Sequence, residues 1–228
     1  MVLSNPRSAL LSALIFLTGA PGSLADSFDC PGTPVTVEAE SSEDATPICT
    51  AITDALQTLR TCNVPLTHGV TVIQRDALQP GCMGVYHCGE EEIELLTHAA
   101  METARDPDNS LAFVDTQAYF NSILAHELAH AAFDTVPCPF DSCLATHEYV
   151  AHVMQVRSLP AADIARFEAA IDMDTPLGRD TINPFIYLMA PDAFLGRAWA
   201  HFRQRPDPCG YIGEIMSGRV VLDRERFE

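Results

Sequence analysis

The chain has 228 residues, and 47% of them are hydrophobic, enough to bury a sizeable core. Its formal charge is −18 at pH 7, from 31 acidic residues against 13 basic ones. That balance excludes recognition of nucleic acid or of anionic membrane surfaces through a basic patch, and reads as a solvated acidic surface.

The N-terminus reads as a secretory signal peptide over residues 1–25. Arg7 supplies the positive region, residues 9–18 an apolar stretch too short to span a bilayer, and Ser23-Leu24-Ala25 a small-x-small cleavage site. Residues 26–228 then remain as one domain, with no further segment apolar enough to enter a membrane. All 13 basic residues are arginine, a GC-rich coding bias that, with the leader, points to a bacterium and to a periplasmic or extracellular location. The eight cysteines all follow the leader, and an even number in an exported chain argues for disulfides. The short spacings suggest Cys82–Cys88 and Cys138–Cys143, which leaves Cys49–Cys62 and Cys30–Cys209.

Residues 26–45 are rich in Pro, Glu and Ser and read as an extended lead-in. Residues 47–60 carry Ile48, Ile52, Ala55, Leu56 and Leu59 at helical spacing. Strands are expected over 70–74, 84–88 and 93–97, the last two joined by an acidic turn at 89–92. The second half is helical: 116–136, 144–158, 161–171, 185–189, 192–204 and 209–217, with breaks at Pro137, Pro160 and Pro191. A sheet-bearing first half and a helical second half make an α+β fold.

The chemistry concentrates in the 116–136 helix, which contains His126-Glu127-Leu128-Ala129-His130. Histidines at i and i+4 share one helix face, so both imidazoles can reach a single Zn²⁺. Glu127 follows the first histidine and can act as general base on a zinc-activated water. A catalytic zinc needs a third protein ligand and one open position. The downstream candidates are Asp134, His147, Glu148, His152 and His201. Asp134 lies one turn beyond His130 on the same straight helix and suits a capping contact better. His147 points about 100° away from Glu148. A loop pinned by Cys138–Cys143 would turn the 144–158 helix back, so that Glu148 faces the two histidines.

Here the chain resembles a known family. His126-Glu127-x-x-His130, followed 18 residues later by Glu148 in Glu148-x-x-Ala151-x-x-x-Gln155, is similar to the gluzincins, the thermolysin-like zinc peptidases, in a minimal-core bacterial form. The resemblance covers residues 123–155. It implies a zincin-like fold: a small N-terminal antiparallel or mixed sheet, the active-site helix, then a helical half. It also implies one Zn²⁺ held by His126, His130 and Glu148, Glu127 as base, and a peptide or protein substrate cleaved at its amide bonds. The chain departs from the family at His152, where many gluzincins place an acidic residue that orients a ligand histidine. The metzincin pattern is excluded, because Phe133 and Val136 stand where it needs Gly and His. Tyr149, Tyr187 and His201 are the candidate donors to the developing oxyanion, with His152 and Tyr149 as possible supports of the ligands. An extended peptide would add along a sheet edge, for which residues 93–96 are the candidate. A second expectation is a zinc-binding interaction module without turnover.

Overall fold

The computed structural model describes residues 25–224. The expected leader therefore lies, except for Ala25, outside the described residues. The α+β expectation holds: a five-stranded mixed sheet is followed by a run of helices. The strands are β1 (Asp26–Asp29), β2 (Val35–Ala39), β3 (Val70–Arg75), β4 (Gly84–His87) and β5 (Glu92–Leu96). Their spatial order is β1-β2-β3-β5-β4. The three central strands run parallel, and each edge strand pairs antiparallel with its neighbour.

Residues 26–45 are not a loose lead-in. They hold β1, β2 and the start of α1 (Ser42–Arg60). Val35 and Val37 alternate into the core, a two-residue period hidden by the surrounding Pro, Thr and Glu. The α1 helix starts at Ser41, whose hydroxyl accepts from the Asp44 N–H. It buries Ile48, Ile52, Leu56 and Leu59 on one side and crosses from β2 to the parallel β3.

A short helix, α2 (His98–Ala104), leads from β5 towards α3 (Thr116–Phe133). Asp115 caps α3 by accepting from the backbone N–H of Gln117 and Ala118. The α3 helix is buried nearly all round, packed against α1, β4 and α4 (Leu144–Arg157). It ends at Phe133 rather than 136, with Asp134 as its C-cap; the Asp134 side chain accepts from the Tyr86 hydroxyl at 3.0 Å and the Gly89 N–H at 3.2 Å. The remaining helices are α5 (Ala161–Ala170), α6 (Pro184–Met189), α7 (Pro191–Arg203) and α8 (Pro208–Met216).

The disulfides correct three of the expected pairings. The bonds are Cys30–Cys49, Cys62–Cys209 and Cys138–Cys143, so only the last was anticipated. Cys49 and Cys62 sit 13 residues apart on and just after one helix, which puts them roughly 20 Å apart, far beyond bridging distance. Each instead meets a different neighbour: Cys49 the end of β1, and Cys62 the start of α8. That leaves Cys30–Cys209 without free partners. Cys82 and Cys88 flank β4, and an extended strand holds its two ends on the order of 15–20 Å apart; both are free thiols. Three disulfides are compatible with an extracellular or periplasmic protein. Among the described residues, no helix is long and apolar enough to cross a membrane.

Candidate metal centre

The α3 helix presents His126 and His130 on one face, and α4 is folded back against it by the five-residue Cys138–Cys143 link. The start of α4 is secured in an unexpected way. Cys143 offers no side-chain cap. Instead Asp223, 77 residues downstream of Thr146, accepts from the backbone N–H of Ala145 and Thr146 and from the Thr146 hydroxyl at 2.6 Å. Glu148 follows on the next turn and points at both histidines.

The resulting geometry is that of a candidate metal-binding triad. His126 Nε2 lies 3.0 Å from His130 Nε2 and 3.7 Å from Glu148 Oε2, and His130 Nε2 lies 3.7 Å from Glu148 Oε1. A tetrahedral zinc shell with bonds of about 2.1 Å separates its donors by about 3.4 Å, so these side chains already outline one face of such a shell. Three atoms at the site, His126 Nδ1, Glu148 Oε2 and His152 Nε2, are buried with no hydrogen-bond partner. Burial of that kind is costly unless something else binds the cluster.

Electrostatics agrees with this assignment. Burial pushes the Glu148 carboxyl up to about 7, and the Tyr187 hydroxyl on the same carboxylate opposes the rise. Burial likewise pulls His130 down to about 3, and drives His126 well below its ordinary value, with the neighbouring His152 and His130 adding to the effect. The histidines are therefore neutral, with lone pairs free to ligate.

Glu127 sits beside the triad, 5% exposed. Burial raises its carboxyl to about 8, Glu148 adds to the rise, and the Tyr86 backbone N–H opposes it. Glu127 lies directly against the edge strand β4. A Cβ at Gly84 would stand 2.7 Å from Glu127 Cγ and 2.8 Å from its Oε1. Gly84 had read only as the start of a strand; nothing in its neighbourhood signalled contact with a carboxylate 43 residues away. The cleft in front of these groups has a volume of about 240 Å³ and is walled by Gly84, His126, Glu127, His152 and Tyr187, with Leu111 and Leu195 at its apolar end.

The other expected residues separate cleanly. His152 is at the site: its ring lies 4.6 Å from the His126 ring, and its Nε2 is 3.6 Å from Glu148 Oε2. Tyr187 lines the cleft. Tyr149 and His201 do not; they are buried behind α4, where the Tyr149 hydroxyl and His201 Nδ1 pair at 2.9 Å. Their place as oxyanion donors is thus corrected: α4 turns Tyr149 to the core side, opposite to the cleft. Asp134 holds the β4–β5 hairpin, as a capping residue would. His147 packs on Phe133, with its ring 6.3 Å from that of His130. Residues 93–96 are not the sheet edge, because β5 lies between β3 and β4. The exposed edge nearest the site is β4 itself.

No curated protein and no solved structure matches the chain. A family model described as "Family of unknown function (DUF6639)" matches residues 35–225, a stretch that includes the triad, Glu127 and Asp223. The chain belongs to that family.

Proposed function

We propose that the protein is an exported, zinc-dependent metallopeptidase of the periplasm or extracellular space. The observation that carries this reading is the convergence of His126, His130 and Glu148 beside the carboxylate of Glu127, in an open cleft next to a sheet edge. Two imidazoles and one carboxylate are the donor set of hydrolytic zinc sites. A bound zinc ion would supply Lewis-acid polarisation of a water and of the scissile carbonyl.

The chain's own residues do the rest. Glu127 takes the proton of the attacking water and returns it to the leaving amine. Its burial excludes competing solvent and keeps it basic. The Tyr187 hydroxyl, at the cleft wall, donates to the oxyanion that develops on the carbonyl. The outer edge of β4 offers backbone N–H and C=O groups to an extended peptide, which lays its scissile bond beside Glu127. The test is Glu127→Gln. The reading predicts that zinc content is retained while cleavage of a broad peptide library falls by about 10²–10⁴-fold; a wild type that holds zinc yet cleaves no peptide in the library refutes it.

One observation favours a second reading, a zinc-binding interaction module without turnover. On α6, next to Tyr187, the side chains of Phe185, Leu188 and Met189 are 63–69% exposed. Exposed apolar clusters of this kind mark contact surfaces. Under that reading Glu127→Gln changes nothing measurable in the protein's interactions.

A further inference from the structure

We infer that His152 is a positioning residue for the third candidate metal ligand: its ring N–H holds Glu148 Oε2, leaving Oε1 as the oxygen that would be offered to a metal held with His126 and His130. The inference rests on the metal-site reading above and deepens it.

Two buried polar atoms face each other without a partner. His152 Nε2 and Glu148 Oε2 are both inaccessible, both lack a hydrogen bond, and lie 3.6 Å apart across one turn of α4. An acceptor left buried and unpaired costs about 1–3 kcal/mol, and a closure of a few tenths of an ångström removes that cost. The donor is available. His152 Nδ1 lies 3.1 Å from Gln155 Oε1. Amide oxygen and nitrogen exchange places by a half-turn of the side chain. With the amide nitrogen donating to Nδ1, the ring hydrogen sits on Nε2 and points at Glu148. The ring itself is fixed by its neighbours, His126 at 4.6 Å, Phe194 at 5.8 Å and Tyr187 at 6.1 Å between centroids.

The other histidines cannot take this role. His126 Nε2 also lies near Oε2, at 3.7 Å, but as a metal ligand it has no hydrogen to give. His130 faces the other oxygen, Oε1. His152 therefore determines which carboxylate oxygen is left for the metal. His152 thus stands in for the acidic residue of the resembling family, but acts on the carboxylate ligand instead of on a histidine.

The experiment uses the oxidised, leader-free chain. Zinc affinity is measured against a competing chelator for wild type, His152→Phe and His152→Gln, and X-ray absorption at the zinc edge counts the ligands. Loss of an outer-shell partner weakens metal binding by about 10–100-fold, and that is the result expected for His152→Phe. His152→Gln keeps an amide N–H and is expected to recover most of the loss. Both wild type and variants should show two imidazoles. Wild-type affinity in His152→Phe overturns the inference. So does a third imidazole in the wild-type spectrum, which would make His152 a ligand; that spectrum decides the matter alone if His152→Phe does not fold. A wild type that binds no zinc at all rejects the metal site itself, and is told apart because the failure is then not confined to the variants.

Discussion

Gly84 on the sheet edge and Glu127 on the central helix occupy one volume: the space a side chain would fill at residue 84 is taken by the Glu127 carboxylate. The absence of a Cβ lets β4 lie flush against α3 and sets the Glu127 carboxylate between the strand and the His126, His130 and Glu148 cluster. Backbone edge, carboxylate and candidate ligands are brought together by that single close approach.

Gly84→Ala should therefore move the carboxylate of Glu127 without touching a ligand. A Cβ contact of 2.7 Å requires a shift, and small misplacements of a reacting group can lower rate by about 10²-fold. Peptide cleavage should drop by that order while zinc stoichiometry stays at the wild-type value. Unchanged turnover in Gly84→Ala would mean that Glu127 is not the base.

Asp223 anchors the ligand helix from far along the chain. Asp223→Ala removes three hydrogen bonds from buried groups at the start of α4. Loss of a helix cap and of satisfied buried donors costs about 1–3 kcal/mol. Denaturant unfolding should show that loss, with weaker zinc binding through Glu148, and Asp223→Asn should lose less. Equal midpoints for all three proteins would remove Asp223 from the account.

His201, 1% exposed, gives the protein an acid limb that is independent of the metal. Burial lowers its pKa from 6.5 to about 4, and Arg205 adds to the fall. Its stabilising contribution is full above pH 6.5. As pH falls towards 4, the unfolded chain takes up a proton that the folded chain refuses, and stability declines by about 1.4 kcal/mol per pH unit. In His201→Gln this part of the decline is absent. The stability gap between wild type and variant should thus narrow by roughly 3 kcal/mol between pH 7 and pH 4; a gap constant over that range would show that His201 takes up its proton as readily in the folded chain as in the unfolded one.

The cysteine framework is open to direct mapping. Non-reducing peptide analysis should recover Cys30–Cys49, Cys62–Cys209 and Cys138–Cys143, with Cys82 and Cys88 alkylated without reduction. Removing Cys62–Cys209, which closes a 147-residue separation, should cost about 2–5 kcal/mol. Recovery of a Cys82–Cys88 peptide would contradict the extended form of β4.

What could be read from the sequence was local. The i, i+4 histidines needed only a helix, and the Cys138–Cys143 link explained how α4 returns to bring Glu148 in. The strands over 70–75, 84–87 and 92–96 announced themselves by composition. What escaped depended on contacts between distant parts of the chain. The Cys62–Cys209 and Cys30–Cys49 bonds follow from the placement of α8 and β1, which spacing does not encode. Asp223 looked like an ordinary acidic residue near the chain end, because its partners, two backbone N–H groups and the Thr146 hydroxyl, lie about 77 residues upstream. Tyr149 and His152 lie three residues apart on one helix, and only the packing of α7 showed which faces the core and which the cleft.

The most direct test of the central claim is zinc content in the oxidised, leader-free chain, measured side by side with Glu148→Ala and His147→Ala. The account predicts one zinc per chain in wild type and in His147→Ala, and none or nearly none in Glu148→Ala. A metal-free wild type, or zinc retained in full by Glu148→Ala, would contradict it.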